Sequence, residues 1–90
     1  MMNSKYIKLR EILEDNKRWP MAYMFKFIAP NKDGKVEKVV NIFPTEAKKS
    51  FKHTKNLKYV SVTCVLSMNS ADEIIAITEA ATAIDGVIMV

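Results

Sequence analysis

A single cysteine, Cys64, excludes an internal disulfide framework and any zinc site built from several thiolates. The one histidine, His53, argues against a histidine-based metal set in the same way. With two glycines and three prolines the chain carries no flexible linker, and it shows neither an internal repeat nor a low-complexity tract. No apolar stretch approaches the ~20 residues that span a bilayer. The opening MMNSKYIKLREILEDN is broken by charges where a signal peptide carries an uninterrupted apolar core. A soluble cytoplasmic protein is therefore expected. What is present is ordinary globular material, 49% hydrophobic and 27% charged. At 90 residues one domain is expected, with 1–18 an N-terminal helix and connection and 19–90 the core.

Fourteen Lys+Arg against ten Asp+Glu give a formal charge of +4, and the excess is local. Between Pro44 and Lys58 stand Lys48, Lys49, Lys52, Lys55 and Lys58, opposed only by Glu46. Such a cluster can attract nucleic acid or another anion, although charge runs more often form solvated faces.

Along the chain, KYIKLREILED (5–15) sets Tyr6, Leu9 and Leu13 on one helical stripe, with Ser4 as the expected N-cap. Trp19-Pro20 closes the connection that follows. MAYMFKFIA (21–29), bordered by Pro20 and Pro30, reads as a strand. Alternation places Tyr23, Phe25 and Phe27 toward the core and Met24, Lys26 and Ile28 on the other face. DGKVEKVVNIF (33–43) repeats Val36, Val39, Val40 and Phe43 at the spacing of a one-sided helix, capped by Asn31 or Asp33 and stopped by Pro44. TEAKKSFKH (45–53) is taken as a strand anchored in the core by Phe51. KYVSVTCVLSM (58–68) alternates Val60, Val62, Cys64 and Leu66 against Tyr59, Ser61, Thr63, Val65 and Ser67, as in a sheet covered on one side. Ser70-Ala71-Asp72-Glu73 is a capping box in which Glu73 reaches back to the Ser70 N–H. It opens a helix over 71–84 that buries Ile74, Ile77, Ala81 and Ile84, ends at Gly86, and leads to a last strand, VIMV (87–90).

After the leading helix the order is β-α-β-β-α-β, which predicts an α+β ferredoxin-like sandwich: a four-stranded antiparallel sheet in the order 4-1-3-2 with two helices on one face. The lysine-rich second strand is then an edge, and lysines commonly protect edges from unwanted pairing.

The segments WPMAYMFKFIAP, KYVSVTCVLSM followed by SADEII, and IDGVIMV, together with the leading KLREIL, resemble the YbeD-like family of small bacterial proteins. The resemblance runs from about Lys8 to Val90, and it is carried by the order and spacing of the segments. It implies a fold close to the ACT-type regulatory domains, no established catalytic activity, and a suggested link to lipoate metabolism; no cofactor is expected. It also implies that Lys26 and the run Lys58, Tyr59, Ser61 and Thr63 match positions the family favours. The chain departs from the pattern at Asn56-Leu57, where relatives often carry a small residue and glycine.

The chemistry points to binding. Lys26 shares the open face with the Ser61 and Thr63 hydroxyls and the Tyr59 ring, and these four are the expected site for a small anionic ligand or a partner carboxylate. The plainer reading of Lys26 is a solvated lysine that keeps an exposed sheet face soluble, or one that forms a salt bridge across a dimer. Cys64 falls on the apolar face as a small hydrophobe, with no cation in the sequence obviously placed to activate it. His53 has no nucleophile or orienting partner at motif spacing, and Asp33-Gly34-Lys35 is too short for a phosphate-binding glycine loop. No catalytic or metal residues are assigned.

The expected function is thus a non-enzymatic regulatory or ligand-sensing domain. The alternatives are a nucleic-acid-binding module using Lys48, Lys49, Lys52, Lys55 and Lys58, or an interaction subunit that modifies a partner enzyme. Base stacking would need aromatics on the open face, where only Tyr59 is expected, unless the faces of the first strand are inverted. An apolar sheet face (Met24, Ile28, Tyr59, Val65) and the bare edge VIMV predict a homodimer, through that face or by edge pairing.

Overall fold

The alternation in the two longest strands organises the molecule. In a computed structural model, which describes residues 6–15 and 18–90, β1 (Met21–Pro30) and β3 (Tyr59–Met68) pair antiparallel along their whole length. β2 (Lys48–His53) pairs with the outer side of β3, and β4 (Ile88–Met89) with the outer side of β1. The order β2-β3-β1-β4 is the expected one read from the other side. The helices are α1 (Ile7–Glu14), α2 (Lys35–Val40) and α3 (Ala71–Thr82).

The faces fall as the alternation predicts. Phe25, Phe27 and Ala29 of β1 and Val60, Val62 and Cys64 of β3 are buried, joined by Val39 of α2 and Ile74 and Ala81 of α3. Phe25 lies edge-on to Tyr23 and to Phe43, with ring centroids 4.8 and 5.1 Å away. Tyr23 is half-buried, and that burial pushes its phenol above its ordinary value. Tyr6 and Leu13 of the N-terminal stripe are buried, while the Tyr6 hydroxyl lies 2.9 Å from Thr82 Oγ1 and Arg10 pairs with Asp72, tying this segment to α3. The Ser4 cap lies outside the described residues.

Several local expectations are corrected. α2 is shorter than 33–43, and neither Asn31 nor Asp33 caps it. Asp33 and Gly34 instead take positive φ (56° and 68°) in a tight turn, and the Asn31 side chain is used elsewhere. Beyond Val40 the chain tightens through Ile42 N–H to Val39 and Phe43 N–H to Val40, which still brings Phe43 into the core. β2 starts at Lys48 because a turn from Pro44 to Ala47 occupies the preceding residues.

Phe51 is not a core anchor. It pairs with Val62 on the helix side of the sheet, yet is 49% exposed where Val62 is 0%. The helices cover the two central strands, and the inner face of an edge strand projects past them. At α3 the Ser70 hydroxyl accepts from the Glu73 N–H (3.2 Å) as expected, but the Glu73 carboxylate takes the Asn69 N–H (3.0 Å) rather than that of Ser70. The helix ends at Thr82, and Gly86 adopts the expected left-handed φ of 85°. Ile77 and Ile84 are only partly buried, while Ile75 and Thr78 join the buried set.

Candidate functional site

Cross-strand pairing lays out the uncovered face in rows. Lys26 of β1 lies opposite Thr63 of β3, which lies opposite Ser50 of β2. One step along, the row is Ile88, Ile28, Ser61 and Lys52; on the other side of Lys26 it is Met24, Val65 and Lys48. The face is therefore divided, with Lys48, Lys52 and the hydroxyls on the β2–β3 side and exposed Met24 and Ile88 toward β4. Lys26 stands between the halves. Among the described residues no carboxylate belongs to these rows.

Of the four expected site residues, Lys26, Ser61 and Thr63 are contiguous on this face. Tyr59 shares the face but pairs with Pro30 at the end of the sheet, four residues and roughly 13 Å along β3 from Thr63. There it joins a second feature, a cleft of ≈ 530 Å³ lined by Pro30, Lys32, Lys35, Lys58, Tyr59, Asp85 and Gly86. Lys32, Lys35, Asp85 and Gly86 were not expected as site residues. They come from segments far apart in the chain, so no motif spacing announces them; Gly86 reads only as a helix terminator.

The basic cluster is split among several surfaces. Lys48 and Lys52 are on the open face. Lys49 is on the opposite side, where its ammonium donates to the Pro44 and Ala47 carbonyls at 3.1 and 3.2 Å. Lys55 belongs to the exposed β2–β3 turn, and Lys58 lines the cleft. Phe25 and Phe27 are buried, so the first strand is not inverted and no aromatic platform faces outward from it.

Cys64 does have a cation beside it, a point the sequence reading missed: Lys49 is its cross-strand partner. Burial nevertheless outweighs that charge and pushes the thiol above its ordinary value. His53 is exposed at the end of β2. Among the described residues, no three His, Cys, Asp or Glu side chains gather in a way that could hold a metal, and no helix is long and apolar enough to cross a membrane. Among the described residues, what the arrangement offers is cationic binding surface.

Neither the curated proteins nor the solved structures contain a match to the chain. Residues 14–90, most of its length, match the family described as a protein of unknown function (DUF493). The chain is a member of this YbeD-like family.

Proposed function

We propose that the protein is a non-enzymatic regulatory domain that engages an acidic partner surface through its open sheet face. One observation carries the reading: Lys26, Lys48 and Lys52 share that face with the Ser50, Ser61 and Thr63 hydroxyls, and among the described residues no carboxylate pairs into these rows. Complementary potentials steer association and reject like-charged surfaces. A second copy docked face to face would set lysines against lysines, so an acidic partner fits better than self-pairing there. The homodimer reading instead favours the β4 side, where Ile88 (57%), Met89 and Val90 (65%) are exposed. The β-α-β-β-α-β order supports kinship with ferredoxin-like, ACT-type regulatory domains. The YbeD-like resemblance adds a suggested link to lipoate metabolism.

Nucleic acid is the lesser reading, because the five lysines of the basic stretch are spread over several surfaces and the aromatic pair of β1 is in the core. The experiment is affinity capture from the source cell, followed by reconstitution with the purified partner. An acidic protein that binds the wild-type chain stoichiometrically and is lost on Lys26→Glu plus Lys52→Glu supports the proposal. Retention by that variant overturns it. Submicromolar, salt-sensitive binding of single-stranded RNA, weakened by Lys48 and Lys49 substitution, favours the alternative.

A further inference from the structure

The end cleft is built by three loops that the fold holds together. Asn31, in the β1–α2 loop, donates its backbone N–H to Lys58 O (2.8 Å) and its side-chain amide to Leu57 O (2.9 Å). The 54–59 turn is tied further by Lys58 N–H to Asn56 Oδ1 (3.1 Å) and by Thr54 N–H to Tyr59 O (3.1 Å). Gly86, in the α3–β4 loop, closes the third side. A Cβ there would stand 2.7 Å from Pro30 Cγ and 3.7 Å from Lys35 Nζ, so only glycine allows the loop so near. The walls carrying Lys32, Lys58 and Asp85 are thus positioned before any ligand arrives.

Charge in the cleft is unbalanced. Three lysines, Lys32, Lys35 and Lys58, line it together with one acidic residue, Asp85. Asp85 lies 3.6 Å from Lys35 Nζ and offsets that lysine. Lys32 and Lys58 have no ion-pair partner among the described residues. Two uncompensated cations match a dianion, whereas a single carboxylate would leave one of them unanswered. Beside them, the Pro30 ring and the half-exposed Tyr59 ring form an apolar wall able to hold an organic body.

We infer that this cleft binds the phosphoryl group of a small phosphate monoester, with Lys32 and Lys58 on the dianion and Pro30 and Tyr59 against its organic part. The site is separate from the Lys26 surface, so ligand and partner can occupy the domain together.

The test is an amide chemical-shift titration of the full chain at physiological salt, using phenyl phosphate, inorganic phosphate and benzoate as probes. Phenyl phosphate should give saturable shifts centred on 31–35, 57–59 and 85–86, and should bind more tightly than either other probe. Lys32→Ala plus Lys58→Ala should weaken it about tenfold or more. Both side chains are at exposed positions, so the amide spectrum of this variant should otherwise stay native. Lys48→Ala plus Lys52→Ala, on the open face, should leave the phenyl phosphate titration unchanged. Absence of saturable shifts, equal weakening by the open-face pair, or benzoate binding as well as phenyl phosphate would each overturn the inference. The partner experiment depends on Lys26 and Lys52, so the two proposals fail separately.

Discussion

Asn31 holds Leu57 in a backbone conformation that leucine rarely adopts. The Asn31 amide donates to the Leu57 carbonyl at 2.9 Å, and Leu57 has a φ of 59° with its side chain 61% exposed. The left-handed region costs an L-residue about 1–2 kcal/mol, a cost that glycine escapes.

Leu57→Gly is expected to stabilise the fold by about 0.5–1 kcal/mol, the relieved strain exceeding the added freedom of the unfolded chain. Asn31→Ala should have the opposite sign and cost about 0.5–1.5 kcal/mol through the lost hydrogen bond. Denaturant melts of both variants check the pair, and a destabilised Leu57→Gly would contradict the strain argument.

The edge position of Phe51 sets a contrast with Phe27. Phe27→Ala should cost about 3–5 kcal/mol, as for a fully buried aromatic. Phe51→Ala should cost about 1 kcal/mol or less, since roughly half of the side chain is in solvent already. Equal losses in chemical denaturation would restore Phe51 to the core.

Stability should fall in alkali. Burial raises the Cys64 thiol above 9.0 and the Tyr23 phenol above 10.0. The native state therefore holds its protons at pH values where the unfolded chain has released them. Stabilisation from these groups is complete below about pH 9 and is lost as pH rises through the folded values. Melting temperatures from pH 7 to 11 measure this, and Cys64→Val should remove the part that begins near the thiol's ordinary value. In the native state Cys64 should resist thiol reagents until the chain opens.

The cap of α3 gives a local test. Ser70→Ala removes the acceptor for the Glu73 N–H and should cost about 1 kcal/mol. Glu73→Ala should cost a further fraction by freeing the Asn69 N–H, which a urea melt of the double variant would register.

The alternation in 21–29 and 58–68 was enough to assign both faces of the central strands, because a period of two leaves each side chain no choice of side once one face is apolar. Lys26, Ser61 and Thr63 were legible together for that reason, as was the Ser70 cap, which depends on four consecutive residues. Phe51 was misread because hydrophobicity marks the side of a sheet a residue faces, whereas its burial depends on how far the helices extend over the edge. The split of Lys48, Lys49, Lys52, Lys55 and Lys58 follows from β2 pairing and turn geometry, which a charge count ignores. The end cleft was invisible in the chain: Lys32, Lys58 and Asp85 meet only because antiparallel pairing brings Pro30 to Tyr59 and a glycine lets residue 86 approach Pro30. Periodicity speaks for neighbours along one element, and proximity between loops is a property of the assembled sheet.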